Sequence, residues 1–79
     1  MDWKEYVTVN NEILSGKPSV KGTRLSVEFL LGLYGAGWTQ DEVLASYPSL
    51  TPEALRAVFA FAADTIQEMS FRSLIPTHM

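Results

Sequence analysis

WTQDEVLASYPSLTPEALRA, residues 38–57, contains two helix starts of one design. In Trp38-Thr39-Gln40-Asp41-Glu42, Thr39 stands as N-cap and Glu42 as the third helical residue. That is the reciprocal pair of a capping box, and Trp38 and Val43 are spaced as a hydrophobic staple across it. Leu50-Thr51-Pro52-Glu53 repeats the signal. Thr51 caps, Pro52 takes the first helical position where its missing N–H is no loss, and Leu50 can staple to Leu55. Pro48 stops the earlier helix, because a proline ring disfavours helical backbone in the residue before it. Val43, Leu44 and Tyr47 mark that helix's inward face. A short helix, a tight turn and a longer helix make a helix-turn-helix unit.

Toward the C-terminus, Leu55, Val58, Phe59, Ala62, Ile66 and Met69 recur at helical spacing, which predicts a helix to about residue 70. Arg56, Ala57, Ala60, Asp64 and Gln67 fall on the opposite face, and Phe61 on the flank. The tail, residues 71–79, lacks periodicity, and Pro76 argues against more helix. Toward the N-terminus, Ser26 is a plausible cap for another helix, with Glu28 in its first turn, a stripe of Val27, Leu30, Leu33 and Tyr34, and an end at Gly35 and Gly37. Phe29 and Leu31 lie off that stripe, so this helix is apolar on more than one side. Before residue 25 the grammar is extended. Tyr6-Val7-Thr8-Val9 and Pro18-Ser19-Val20-Lys21 are short strand candidates, with Asn10-Asn11 and Gly16 as turn material and Tyr6, Ile13, Leu14 and Val20 expected inside. The expected fold is mainly α: one domain over residues 1–79, with a β-hairpin arm (1–25), a three-helix bundle (26–70) and a tail (71–79).

At 79 residues and 47% apolar side chains, the chain has a narrow core. The excess apolar residues Phe29, Leu31 and Phe61, with Phe71, Leu74 and Ile75 of the tail, are therefore expected at a homodimer or partner interface. Absence of cysteine excludes a disulfide scaffold and thiolate zinc sites. The longest apolar run, Ala57–Ala63, is far short of the ~20 residues that span a bilayer, and no secretion signal is expected from the opening residues. A cytoplasmic protein without membrane contact is expected.

Net charge is −3. Residues 1–24 carry Lys4, Lys17, Lys21 and Arg24 against Asp2, Glu5 and Glu12, whereas the remainder carries Arg56 and Arg72 against Glu28, Asp41, Glu42, Glu53, Asp64 and Glu68. Any anion-binding surface is expected on the N-terminal segment, since phosphate neutralisation supplies much of nucleic-acid affinity. Lys17, Lys21, Thr23 and Arg24 are candidates for phosphate, and Thr51 and Arg56 for a major groove reached by the third helix. Against this, Arg24 can instead anchor the hairpin on Glu28 or Glu42. His78 is the lone histidine. With no cysteine and no second histidine, no nucleophile–base pair or metal cluster of familiar kind can be assembled. No enzymatic activity, cofactor or metal is expected.

Ile13-Leu-Ser-Gly-Lys-Pro-Ser-Val-Lys-Gly-Thr-Arg-Leu-Ser-Val27 and Tyr47-Pro-Ser-Leu-Thr-Pro-Glu-Ala-Leu-Arg-Ala57, followed by Ala60-Phe-Ala-Ala63, resemble the signatures of the domain-of-unknown-function 433 family. The resemblance covers roughly residues 6–65. It implies a homeodomain-like trihelical bundle with an N-terminal β arm. Many members are regarded as VapB-type antitoxins that dimerise, bind their operator DNA and block a PIN-like ribonuclease toxin through a C-terminal extension. Two readings follow. One is an antitoxin-like DNA-binding regulator that neutralises such a ribonuclease. The other, which the acidic balance favours, is a dimeric protein-interaction module without nucleic-acid contact.

Overall fold

A computed structural model of the chain describes residues 1–69. Three helices, α1 (Val27–Gly35), α2 (Gln40–Ser46) and α3 (Pro52–Glu68), follow a two-stranded antiparallel sheet of β1 (Val7–Thr8) and β2 (Ser19–Val20). Val7 pairs with Val20 and Thr8 with Ser19. All three expected caps form. Ser26 Oγ accepts from Phe29 N, Thr51 Oγ1 accepts from Ala54 N, and the Thr39–Glu42 box closes in both directions. Hydrogen bonds from the Thr39 backbone and hydroxyl hold the Glu42 carboxyl below its ordinary range. Because the folded value is depressed, the box's contribution is complete above the ordinary carboxylate range. It is lost as pH falls through the folded value.

The core consists of Val7, Val20, Val27, Leu30, Val43, Leu50, Ala54, Leu55, Ala57 and Val58. The N-terminal segment is thus no free arm: both strand valines are core residues, and the backbone stitches the strands to their surroundings. Lys21 N donates to Tyr6 O (2.8 Å), and Val27 N donates to Pro18 O (2.9 Å). Val7 is the buried residue of β1, while Tyr6, expected inside, is half-buried.

The inward face of α3 is rotated from the expected one. Ala57, placed outward by periodicity, is fully buried, and Phe59, placed inward, is 45% exposed. The cause is packing on several sides: α3 lies against α1, β1 and the N-terminal 3-10 turn Trp3–Glu5. Ala54 and Ala57 permit that close approach where larger side chains would not.

A left-handed turn, Leu14–Gly16, joins the strands, with φ of 52°, 57° and 83° in successive residues. Such backbone costs L-residues about 1–2 kcal/mol each, but glycine almost nothing. A Cβ on Gly16 would also meet Asn11 Oδ1 at 2.8 Å. Gly16→Ala is therefore expected to lower stability by about 1–2 kcal/mol, read as a reduced urea midpoint with unchanged slope. Among the described residues, Ser19 Oγ and Tyr34 Oη are buried without a hydrogen-bond partner. Burial raises the Tyr34 phenol above its ordinary pKa.

Candidate functional site

The candidate residues separate into two regions. The first is the tight loop between β2 and α1, Lys21-Gly22-Thr23-Arg24, closed by Val20 N donating to Leu25 O (3.0 Å) and Thr23 N donating to Val20 O (3.1 Å). Gly22 has φ 79°. Lys21 and Arg24 stand exposed at the tip. The Thr23 hydroxyl, expected to be available for phosphate, is engaged within the loop: it donates to Val20 O (2.8 Å) and accepts from Leu25 N (3.1 Å). The expected Arg24–carboxylate anchor is also absent among the described ion pairs. It is Lys17 Nζ that reaches Glu28 Oε1, at 3.4 Å with both side chains largely exposed, a pair worth about 0.5 kcal/mol or less. The other nucleic-acid candidates lie on the first turns of α3. Thr51 caps the helix and Arg56 is exposed, as is Glu53 between them.

The second region is apolar. Val27, Glu28 and Leu31 of α1 face Phe61, Ala62, Thr65 and Ile66 of α3 across an open groove that is almost wholly apolar. It exists because the helices differ in length. α1 has nine residues and α3 has 17, about 14 Å against about 25 Å. The second half of α3 therefore runs beyond the core, and residues 63–69 are all exposed. Ile66 is 53% and Met69 55% exposed, although both continue the helix's apolar spacing.

Leu31 and Phe61, expected at an interface, are brought together in this groove, but Phe61 is not bare. Its ring meets that of Trp3 edge-on at 4.8 Å, and Trp3 Nε1 donates to Asp64 Oδ2 at 2.7 Å. The N-terminal turn thereby clamps α3 at the point where it leaves the core. Phe29, 44% exposed, lies on the other flank of α1 with Tyr47 at 5.8 Å. Phe71, Leu74 and Ile75 lie outside the described residues.

Sequence reasoning missed Ala62, Thr65 and Ile66 as groove residues, and Trp3 as their neighbour. A signal was present: an apolar stripe reaching Met69 is longer than helices the size of α1 and α2 can cover. Among the described residues, no group of three His, Cys, Asp or Glu is placed to hold a metal ion, and no helix is long and apolar enough to cross a membrane.

Comparison with known proteins locates the domain. An uncharacterized protein of Sinorhizobium fredii is 36% identical over 59 residues, 75% of this chain. The chain spans only 27% of that relative's length. The crystal structure of a DUF433 member protein from Anabaena variabilis superposes with a TM-score of 0.73 at 26% identity, covering 78% of this chain and 61% of that one. Residues 7–62, which hold both strands, α1, α2 and the packed half of α3, match the family described as protein of unknown function (DUF433). The chain belongs to the DUF433 family.

Proposed function

We propose that this domain is the partner-binding module of an antitoxin-like regulator, with the groove between α1 and α3 receiving an apolar segment of a PIN-like ribonuclease. The observation that carries the reading is the groove itself. Leu31, Phe61, Ala62 and Ile66 form a continuous apolar surface on a small domain of net charge −3. An apolar groove between two helices is a shape that an apolar segment of a partner can fill. Amphipathic segments use such grooves through anchors spaced three or four residues apart. The ribonuclease class comes from the family resemblance, and homodimerisation belongs to the same reading.

Operator binding is the second reading, favoured by the exposure of Arg56 on α3 and of Lys21 and Arg24 at the loop tip. So few cations support only a shallow salt dependence, with log K falling against log salt at a slope of about −4 or less steeply. Two experiments separate the readings. Coexpression with a PIN-like ribonuclease is expected to yield a complex that copurifies. A gel-shift titration on operator candidates at low salt, with Arg56→Ala as control, tests the second reading. Absence of a complex with the ribonuclease together with a shift that Arg56→Ala abolishes would replace the first reading by the second.

A further inference from the structure

Two surfaces meet along one line of α3. On one side is the apolar groove, where Glu28 is the charged residue of the lining. On the other is a hollow whose walls include Asp2, Trp3, Lys4, Asp64 and Glu68. Phe61 and Thr65, about one helical turn apart, line both. At about 100° per residue, Ala62, Ile66 and Met69 stand on the groove side of that line, and Asp64 and Glu68 on the far side. Carboxylates therefore edge the groove on both flanks, Glu28 from α1 and Asp64 with Glu68 from α3, and all three are exposed. Glu28 meets Lys17 Nζ at 3.4 Å in an exposed pair, weak enough for an incoming cation to share the carboxylate. Asp64 is held in place, because its Oδ2 accepts from Trp3 Nε1 at 2.7 Å. Lys4 Nζ lies 6.0 Å from the centroid of the Trp3 ring, so the hollow accommodates a cation beside the indole.

We infer that the occupant of the groove is a cationic amphipathic helix. Its apolar anchors, three and four residues apart, fill the space between Leu31, Ala62 and Ile66. Lys or Arg residues flanking those anchors meet Glu28 on one edge and Asp64 with Glu68 on the other. A helix suits the site because the walls are themselves helices, and a third rod laid along them packs by the same ridges. From Phe61 to Ile66 is about 7.5 Å along α3, which gives room for two or three anchors. A second copy of this face would bring the same three carboxylates against the first, like charges opposed, and an acidic segment would do the same. The inference rests on the reading of the groove as a docking surface, and adds the sign of the charge that its partner must carry.

Three synthetic helical peptides of about 14 residues, about four turns, test it on the full chain. Two share a single leucine face, flanked by Lys in one and by Glu in the other. The third keeps the lysines but scatters the leucines around the helix. Fluorescence anisotropy is expected to show the Lys-flanked peptide binding at least about tenfold more tightly than either of the others. Ile66→Asp is expected to weaken that binding about tenfold or more, although it adds negative charge and attraction of net charge alone would strengthen it. The triple variant Glu28→Gln/Asp64→Asn/Glu68→Gln, which keeps an acceptor for the Trp3 indole, is expected to reduce the preference for Lys over Glu flanks to less than about threefold. Circular dichroism verifies that each variant is folded. Equal binding of the Lys- and Glu-flanked peptides, binding that Ile66→Asp leaves intact, or absence of binding by all three would each overturn the proposal. The readout needs no ribonuclease. Peptide selectivity without a ribonuclease complex removes only the proposed partner. A ribonuclease complex that Ile66→Asp abolishes and the triple variant leaves intact removes only the charge requirement.

Discussion

Leu30→Ala is expected to leave the chain largely unfolded at 25 °C. Leu30 is fully buried and belongs to the core cluster that strands and helices share. Truncating a buried leucine costs about 2–5 kcal/mol, the removed methyl groups losing their transfer free energy and the cavity adding to it. A domain of this size has roughly 3–5 kcal/mol of stability in all. The loss is therefore comparable to the whole. Far-ultraviolet circular dichroism is expected to show collapse of the helical signal in buffer, or a urea transition without a native baseline. Leu30→Met, which conserves volume, is expected to cost less than about 1.5 kcal/mol and retain the fold. A folded Leu30→Ala variant with near-native stability would mean that α1 is not a core element.

Trp3→Ala is the second large expectation, and it concerns the overhang of α3. Trp3 is half-buried, stacks edge-on against Phe61 and donates to Asp64 across 61 positions of sequence. Full truncation of a buried Trp costs about 3–5 kcal/mol, and for a half-buried ring about 2 kcal/mol is expected. Trp3→Phe keeps the aromatic pair but loses the N–H donor, and is expected to cost about 0.5–1.5 kcal/mol. The loss should be local as well as global. Hydrogen exchange of the amides from Phe61 to Glu68 is expected to accelerate in Trp3→Ala beyond what the global stability change accounts for, because this ring is the clamp on that half of the helix. Exchange that rises uniformly over the whole chain would show that Trp3 does not act on α3 in particular.

Local signals made most of the fold legible. Ser26, Thr39 and Thr51 each cap the helix they were expected to cap, because capping depends on residues three positions apart and on little else. The strands were found for the same reason, through β-branched residues bounded by Asn and Gly. Orientation was less legible. The face that α3 buries depends on what packs against it, and a 3-10 turn more than 50 residues earlier in the chain supplies part of that packing. Periodicity alone therefore put Phe59 inside and Ala57 outside. The left-handed turn at Leu14 and Ser15 is held by neighbouring chain: Gly16 N donates to Ile13 O and Lys17 N to Leu14 O, both at 3.1 Å. No propensity of leucine announces it. The groove was half visible. Leu31 and Phe61 were surplus to their stripes, but their convergence with Ile66 depends on the tertiary contact between α1 and the longer α3.

In the proposed reading the apolar groove, and not the cationic positions, carries the domain's principal interaction. Copurification of the full chain with a PIN-like ribonuclease, compared between Ile66→Asp and Arg56→Ala, tests it most directly. Both residues are exposed, Ile66 lines the groove, and Arg56 lies on the first turns of α3. Exposed positions usually change stability by no more than about 0.5 kcal/mol, so both variants should keep the native circular dichroism spectrum. Loss of the complex by at least tenfold in Ile66→Asp, with Arg56→Ala unaffected, is the predicted result. Retention by Ile66→Asp and loss by Arg56→Ala would contradict it.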